Sequence, residues 1–195
     1  MTSQENSIQG WIDRRGLALL TDLYELTMLA GYLHQDMSNI RASFEYFFRS
    51  LPPDTGFGVF SGLNQLLSYL RHLNFDETDI DYLRSLDLFP DNFLKWLQKW
   101  ELKCDIYSVP EGTLVFPNEP IIRVEGPLGQ AQLIETFILN ALNYSTLIST
   151  KASRICLATE GEPVMEFGLR RAQGPDGGLT GSRAAYIGGC SGTSN

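Results

Sequence analysis

Residues 166–178 combine residue types that are suited to binding an anion. Their sequence is Glu-Phe-Gly-Leu-Arg-Arg-Ala-Gln-Gly-Pro-Asp-Gly-Gly, and the apolar run 163–165 precedes them. A buried strand followed by a loop of glycine and arginine gathers hydrogen-bond donors around an anion at the carboxyl end of a sheet. Adjacent charges are also common on solvated surfaces. Taken alone, Arg170 and Arg171 are equally consistent with an anion site and with ordinary surface charge.

The C-terminal residues 187–195 repeat this pattern. An apolar start is followed by glycines and hydroxyl side chains, in the order Ile-Gly-Gly-Cys-Ser-Gly-Thr-Ser-Asn. A possible helix at 179–186 separates the two segments. The repetition predicts that both loops follow successive strands of one barrel or sheet.

The composition limits the possible partners. The chain has 195 residues, 43% of them hydrophobic, which is typical of a soluble globular protein of one or two domains. A net charge of −8 argues against general binding to nucleic acid or to an anionic membrane. Any anion site must therefore be a local basic cluster, and Arg170, Arg171 and Arg183 form the densest one near glycines.

Cysteine and histidine usage predicts neither a disulfide framework nor a structural metal. Cys104, Cys156 and Cys190 are odd in number and far apart, and His34 and His72 are the only histidines. The N-terminus has no apolar signal core, and no run approaches the length of a transmembrane helix. The expected location is the cytoplasm.

A helix that begins near residue 22 is the first element available to position a functional side chain. Asp22 is the predicted N-cap, and Glu25, three residues later, completes a capping-box pattern. The ring of Tyr24, in the first turn, can project from the helix end, although a tyrosine at a helix start, taken alone, belongs to the core more often than to a binding site. The predicted buried face consists of Leu23, Leu26, Leu29, Ala30 and Leu33.

Further elements follow from hydrophobic periodicity and from turn residues. We predict strands at 42–48 and 57–60, helices at 62–73, 76–86 and 92–100, a turning β-unit at 104–124, and an apolar helix at 130–148. The best boundary lies near 159–162. The predicted organisation is a flexible N-terminus at 1–16, an α+β domain at 17–159, and the first strands of an incomplete α/β barrel at 160–195. A βα architecture needs more strands to close, so we expect the chain, which stops at Asn195, to be the N-terminal piece of something larger.

Five segments, in order and at similar spacing, resemble nicotinate phosphoribosyltransferase. They are Thr-Asp-Leu-Tyr-Glu-Leu-Thr-Met at 21–28, Pro-Glu-Gly at 110–112, Glu-Gly-Pro-Leu at 125–128, Glu-Phe-Gly-Leu-Arg-Arg-Ala-Gln-Gly at 166–174, and Gly-Thr-Ser-Asn at 192–195. The resemblance extends from about Leu17 to Asn195. A single glycine-arginine loop would be weak evidence, whereas five motifs in order are specific.

The resemblance implies a type II phosphoribosyltransferase, in which an N-terminal α+β domain precedes an irregular α/β barrel and two subunits pair head to tail. It implies the condensation of nicotinate with phosphoribosyl pyrophosphate to give nicotinate mononucleotide and pyrophosphate, a step of NAD biosynthesis. ATP hydrolysis is coupled through a transiently phosphorylated histidine, and Mg²⁺ assists.

The resemblance also assigns roles to residues. Arg170 matches the arginine that holds the phosphates of the sugar donor, and Phe167 matches an aromatic that stacks on the pyridine ring. Tyr24 matches a tyrosine that stacks on the opposite face from the partner subunit, with Asp22 nearby. The expected substrate-binding residues are therefore Asp22, Tyr24, Phe167, Arg170, Arg171 and Ser194.

Ser194 bears on which pyridine is used. The related nicotinamide enzymes carry an aspartate at this place, which would repel the carboxylate of nicotinate, whereas a serine can donate a hydrogen bond to it. This disfavours nicotinamide phosphoribosyltransferase. Quinolinate phosphoribosyltransferase is disfavoured because the Thr-Asp-x-Tyr helix is not typical of it.

The family's phosphorylated histidine is not found in this sequence, so no catalytic residue is assigned to it. That histidine belongs to a Gly-Thr…His segment that is expected beyond Asn195, and neither His34 nor His72 has that context. The chain should carry about half of the active site. The remaining alternative, from a different class, is a non-catalytic fragment that only associates with itself or with a longer copy.

Overall fold

The computed structural model describes residues 17–194. The N-terminal segment predicted to be flexible, 1–16, lies outside the described residues, and so does Asn195, the last residue of the Gly-Thr-Ser-Asn motif. The prediction that the catalytic histidine lies beyond Asn195 therefore stays a prediction.

The elements are, in chain order, α1 Leu23–His34, β1 Arg41–Tyr46, β2 Gly58–Val59, α2 Leu63–His72, α3 Glu77–Ser85, α4 Asp91–Leu97, β3 Asp105–Ser108, β4 Leu114–Val115, β5 Ile122–Pro127, α5 Leu128–Leu133, α6 Glu135–Ala158, β6 Met165–Glu166, a 3₁₀ turn Leu169–Arg171, α7 Gly174–Ile187 and β7 Gly192–Thr193. This mixture of helix and strand confirms the predicted α+β character.

Three small sheets organise the strands. The first has the order β1-β5-β3, is antiparallel, and pairs Phe44 with Val124. The second pairs β2 with β4, also antiparallel. The third pairs β6 with β7 in parallel, with α7 as the connection between them. The first predicted loop does follow a strand, β6. The second prediction was wrong, because Ile187 ends α7 and the turn at 188–191 leads into β7 instead of following a strand.

The main hydrophobic core lies between the helices and the first two sheets. Phe60, Leu66 and Leu142 are completely buried there. The rings of Tyr69 on α2 and Phe137 on α6 stack with their centroids 3.6 Å apart. Aromatic pairs of this kind add to the large apolar area that the rings already bury, and they fasten α2 to α6.

The apolar helix predicted at 130–148 is in fact two helices, α5 and α6, which meet at Ile134. Helix α6 then continues to Ala158, ten residues past the predicted end. The prediction was wrong there because a polar stretch, 149–151, interrupts the apolar pattern after Ile148. On the buried side, hydroxyls of α6 bond to the backbone around β2: Thr150 Oγ1 accepts from the Val59 N–H at 2.9 Å, and Thr146 Oγ1 from the Ser61 N–H at 3.2 Å.

The start of α1 also differs from the prediction. Asp22 occupies the N-cap position, but its side chain makes no capping bond, and its Oδ2 accepts from Thr136 Oγ1 at 3.2 Å. Glu25 is completely buried, where its Oε2 accepts from Gln132 Nε2 at 2.5 Å. Leu23, predicted to be buried, is half exposed. The Glu25 side chain therefore bonds to Gln132 in the interior instead of capping the start of α1.

A capping box is present at α3 instead. The Asp76 carboxylate accepts from the Asp79 N–H at 3.0 Å, and Asp79 Oδ2 accepts from the Asp76 N–H at 3.1 Å. An aspartate can close this reciprocal pair as a glutamate does, because both carry the acceptor that the free N–H groups at a helix start require.

The segment after α6 contains less strand than predicted. The run at 163–165 was expected to be a buried strand, but β6 has only two residues and Met165 is half exposed. The expected glycine-rich loop is largely helical, since α7 begins at Gly174 with Pro175 in its first turn, where a missing N–H costs no helical bond. No further strand joins β6 and β7 within residues 17–194. Among those residues, no helix combines the length and apolarity needed to span a membrane.

Candidate functional site

A cleft of about 470 Å³ lies where α6 and α7 meet the end of β6. We call it the arginine cleft. Apolar side chains of α6, among them Ile148 and Ile155, form one part of its lining, and Phe167, Arg170 and Arg171 form another. An apolar pocket with a few convergent polar groups is the usual form of a small-molecule site.

The two arginines are carried by a short turn, residues 167–171, which we call the arginine turn. The Arg171 N–H donates to the Gly168 carbonyl at 2.8 Å. The guanidinium of Arg170 lies 5.7 Å from the centre of the Phe167 ring, and its Nη1 donates to the Phe167 carbonyl at 3.4 Å. Both arginines are exposed, and in the described part of the chain neither forms an ion pair with a carboxylate. Their positive charges therefore remain available to an anion.

Arg183 does not belong to this cluster, contrary to the grouping expected from the sequence. Its Nη1 and Nη2 bond to the two carboxylate oxygens of Glu111 at 2.8 and 2.6 Å. Glu111 also accepts from the N–H groups of Gly62, at 2.7 Å, and Leu63, at 3.1 Å, where α2 begins. Burial disfavours the charged carboxylate, but the hydrogen bonds and charge of Arg183, with the backbone N–H groups, lower the pKa of Glu111 overall. This pair joins α7 to α2.

Ser194 and the arginine turn are linked through β6. The Ser194 N–H donates to the Glu166 carbonyl at 2.9 Å, and the Ser191 N–H donates to the Val164 carbonyl at 2.8 Å. These bonds continue the β6–β7 pairing and hold Ser194 beside the residue that precedes Phe167. Ser194 is exposed, and Phe167 has 57% of its surface exposed. Phe167, Arg170, Arg171 and Ser194 thus gather at one end of this strand pair.

Asp22 and Tyr24 lie elsewhere, at the start of α1, and neither lines the arginine cleft. Tyr24 is 48% exposed. Hydrogen bonding to Glu25 is the main factor that raises the pKa of Tyr24 to about 12, with desolvation and nearby carboxylates, including Asp22, adding to it. Desolvation in turn raises the pKa of the buried Glu25. The Tyr24 ring is therefore neutral and projects towards solvent.

Two glutamates matter to the site although sequence reasoning gave them no role. Glu111 fixes Arg183, and Glu166 accepts hydrogen bonds from the Gly168 N–H and from Ser182 Oγ. The signal for Glu111 was its place in the Pro-Glu-Gly segment, between two turn residues. The signal for Glu166 was only its place directly after the apolar run 163–165 and two residues before Gly168.

Residues 17–194 contain no group of three or more histidine, cysteine, aspartate and glutamate side chains that could hold a metal ion. His34 ends α1 and His72 ends α2, where Nδ1 of His72 lies 2.8 Å from the Ser68 carbonyl. Neither histidine lines the arginine cleft. The described residues therefore do not fit a resident metal ion or a histidine acting in this cleft.

Two exposed arginines beside an exposed aromatic ring, at the end of a parallel strand pair on an α+β body, form a cleft of the kind that α/β proteins use for small molecules. Comparison with known proteins identifies the family. The model for the nicotinate phosphoribosyltransferase (NAPRTase) N-terminal domain matches residues 19–143. The chain therefore belongs to the nicotinate phosphoribosyltransferase family, and the part that matches is the family's N-terminal domain.

Individual relatives agree with this assignment. The chain is 44% identical to a nicotinate phosphoribosyltransferase of Mycobacterium tuberculosis, over 91% of this chain and 38% of the relative. It is 46% identical to that of Bacillus subtilis, over 92% of this chain and 36% of the relative. A crystal structure of human nicotinic acid phosphoribosyltransferase superposes with a TM-score of 0.83 at 39% identity, covering 91% of this chain and 36% of the human one. The chain thus spans little more than a third of the length of these relatives.

A more distant structure shares the fold alone. The nicotinate-nucleotide pyrophosphorylase of Pyrococcus furiosus matches 98% of this chain at 24% identity, with a TM-score of 0.72. The architecture therefore persists at an identity too low to carry residue roles.

Proposed function

We propose that the protein containing this chain is a nicotinate phosphoribosyltransferase, which forms nicotinate mononucleotide and pyrophosphate from nicotinate and phosphoribosyl pyrophosphate. Coupled ATP hydrolysis, a place in NAD biosynthesis, an irregular α/β barrel and a cytoplasmic location are parts of the proposal. The observation that carries it is the arginine cleft, where two exposed guanidinium groups and an exposed phenylalanine ring share one apolar pocket. Membership of the family supports the same assignment.

Arg170 and Arg171 are proposed to bind the phosphates of the sugar donor. Departure of pyrophosphate from the ribosyl carbon builds negative charge on the leaving group, so a fixed cation stabilises the transition state more than the ground state. Arginine suits this role because its planar guanidinium forms paired, charge-assisted hydrogen bonds to phosphate oxygens.

Phe167 and Ser194 are proposed to hold nicotinate. The pyridine nitrogen needs to be positioned against the ribosyl carbon, and the exposed Phe167 ring offers a face for stacking. The Ser194 hydroxyl can donate a hydrogen bond to the substrate carboxylate. An aspartate at this position would repel that carboxylate, which is why we favour nicotinate over nicotinamide.

Tyr24 and Asp22 are proposed to complete the site of a partner subunit in a homodimer. Their separation from the arginine cleft of their own chain supports this arrangement. So does the exposure of apolar side chains around Tyr24, at Leu20, Leu23 and Met28, since contiguous exposed apolar surface marks contact surfaces. The Tyr24 ring of one subunit would then stack on the pyridine bound near Phe167 of the other.

Mg²⁺ and ATP remain part of the proposed reaction, although the residues between 17 and 194 offer no metal-binding cluster. Mg²⁺ in phosphate chemistry is generally held by one or two carboxylates together with the substrate's phosphates, so it does not need a protein cage. The phosphorylated histidine is proposed to lie beyond Asn195 rather than at His34 or His72, because neither of these lines the arginine cleft.

The proposal is tested by incubating the purified full-length protein that contains this chain with phosphoribosyl pyrophosphate, ATP, Mg²⁺ and either nicotinate or nicotinamide. We expect nicotinate mononucleotide and pyrophosphate in equal amounts, and little product from nicotinamide. The 195 residues alone should form no product, because they carry only about half of the active site. Ser194→Asp should reduce kcat/KM for nicotinate by on the order of tenfold, through repulsion between the two carboxylates at close range, with Glu162→Asp on the exposed surface as control. A preference for nicotinamide in the unaltered protein would contradict the proposal.

A further inference from the structure

Glu166 connects the parts of the proposed site, although no role follows for it from the resemblance. We infer that Glu166 is a positioning residue, whose carboxylate holds the arginine turn in the shape that presents Phe167 and Arg170 to substrate. The inference rests on the proposed function for its activity test, and on hydrogen bonds of this chain for its geometry.

The three oxygen atoms of Glu166 each bond to a different segment. Its Oε1 accepts from the Gly168 N–H inside the arginine turn, and its Oε2 accepts from Ser182 Oγ on α7 at 2.7 Å. Its carbonyl oxygen accepts from the Ser194 N–H at 2.9 Å. One residue therefore ties the arginine turn, α7 and the end of β7 together.

The local sequence is adapted to this contact. A Cβ at position 168 would lie only 2.9 Å from Glu166 Oε1, so glycine lets the carboxylate approach its N–H. On the other side of the turn, Leu169 packs against α7 at Gly178, where a Cβ would clash with Leu169 Cδ1. The carboxylate and Leu169 thus fasten the turn at two points, and the residues that face substrate stay exposed.

Holding the turn matters because Arg170 and Arg171 lie on a single turn of 3₁₀ helix, and none of its three residues is buried. A mobile turn would lose conformational freedom whenever substrate binds, and that loss would weaken binding and misplace the cations in the transition state. A carboxylate bond to a backbone N–H is among the stronger hydrogen bonds in proteins. Glu166 therefore pre-organises the site before substrate arrives.

Two substitutions separate hydrogen bonding from charge. Glu166→Gln keeps an oxygen that can accept from the Gly168 N–H. Its amide can donate to Ser182 Oγ, whose own proton can go to the Gly178 carbonyl, already 2.9 Å away. Glu166→Met keeps the length of the side chain but has no comparable acceptor. If Glu166 acts through its hydrogen bonds, Glu166→Gln should keep the activity and the order of the arginine turn, whereas Glu166→Met should lose both.

The activity test measures kcat and KM for phosphoribosyl pyrophosphate in the whole protein. For Glu166→Met we expect about a tenfold fall in kcat/KM, from the loss of the hydrogen bonds to Gly168 and Ser182, appearing mainly as a raised KM. Glu166→Gln should stay within about twofold of the unaltered protein, because the same groups remain paired. Glu162→Met, at an exposed position of the same segment, controls for the substitution itself.

Hydrogen exchange provides a second measurement that needs no substrate. In Glu166→Met the amides of residues 167–172 should exchange about tenfold faster than in the unaltered protein or in Glu166→Gln, because local opening of the turn is no longer opposed. If the unaltered protein makes no nicotinate mononucleotide, the proposed function fails while exchange still tests the role of Glu166. Unchanged exchange and unchanged KM in Glu166→Met would overturn the inference. Equal damage in Glu166→Gln and Glu166→Met would also overturn it, since the charge would then be what matters.

Discussion

The body formed by residues 17–158 and the smaller segment 159–194 differ in what they bury. In the body, Phe60, Leu66, Phe93 and Leu142 are fully enclosed in one continuous core. In the smaller segment, the buried cluster consists of little more than Ala185 and Cys190 against Ala152 of α6. The proposed substrate-binding residues of the smaller segment are exposed. The body contains most of the buried apolar core, and the smaller segment packs on α6 with the proposed substrate-binding side chains exposed.

Hydrogen bonds replace apolar packing in the smaller segment. Besides the apolar contact of Leu169 with Gly178, the arginine turn, α7 and β7 are held by the hydrogen bonds of Glu166 and by the ion pair of Arg183 with Glu111. Such contacts fix direction better than apolar area does, because hydrogen bonds depend on geometry. Substitutions in the two regions should therefore separate stability from substrate binding.

The largest expected effect is on the stability of the body. Leu142→Ala should lower the free energy of unfolding by about 2–5 kcal/mol, because it removes a completely buried side chain and leaves a cavity. Leu179→Ala on α7, where the leucine is 44% exposed, should cost less than about 1 kcal/mol. Urea denaturation measures both. Similar losses for the two variants would contradict the division into a core region and a presenting region.

The next effect concerns the contact between the two regions. Glu111→Ala should lower the free energy of unfolding by roughly 1–3 kcal/mol, since Arg183 and the N–H groups at the start of α2 lose a charged partner. Arg84→Ala, which breaks an exposed ion pair with Asp81, should cost about 0–1 kcal/mol. Thermal unfolding at neutral pH provides the comparison.

Lowering the pH should also remove the stability that the Glu111–Arg183 ion pair contributes, because protonation neutralises the Glu111 carboxylate. The pKa of Glu111 is lowered in the folded protein, so its contribution to stability is complete above the unfolded-state value, about 4.3. That contribution is lost progressively as the pH falls from there through the lower folded-state pKa. The difference in unfolding free energy between the unaltered protein and Glu111→Ala should therefore shrink in this range. A difference that does not change with pH would mean that the ion pair does not stabilise the contact.

A smaller effect is expected at Tyr24, and it concerns binding. Tyr24→Ala should weaken nicotinate binding by about 1–3 kcal/mol through the loss of one stacking face. Stability should change little, because the ring is half exposed. Calorimetric titration of nicotinate, beside Tyr82→Ala at another exposed tyrosine, measures this. Mixing Tyr24→Ala with Arg170→Ala subunits should restore part of the activity, because one site of each mixed dimer carries neither change. Exchange of subunits without any return of activity would contradict a shared site.

Most elements of the fold were predictable because their signals are local. Alternating apolar residues and turn residues located β1, α2 and the β-unit that contains β3 to β5, close to their observed bounds. The strand expected at Ile187 was wrong, because that residue ends α7 and the strand that pairs with β6 begins only at Gly192. The polar end of α6 was missed, because Thr150 and its neighbours are buried only through contact with β2, far away in the sequence. The burial of Glu25 against Gln132 escaped prediction for the same reason.

The site was predictable in its residue types and less so in its connections. Arg170 and Arg171 were singled out by their place after a strand, and their neighbours Phe167 and Ser194 by resemblance. Arg183 had the same local signal as Arg170, yet its partner Glu111 lies 72 residues earlier. Whether an arginine is free or paired depends on tertiary contacts, which neither composition nor spacing contains.

The central claim is that the arginine cleft binds the sugar donor, and kcat/KM for phosphoribosyl pyrophosphate in Arg170→Ala tests it most directly. Arg154→Ala, an exposed arginine on α6 that bonds only to Thr55 Oγ1 among the described residues, is the matched control. We expect Arg170→Ala to lose about 2–4 kcal/mol of transition-state stabilisation, roughly 30- to 1,000-fold in kcat/KM, while Arg154→Ala stays near the unaltered value. Unchanged kcat/KM in Arg170→Ala would show that Arg170 is a surface charge and that the donor binds elsewhere.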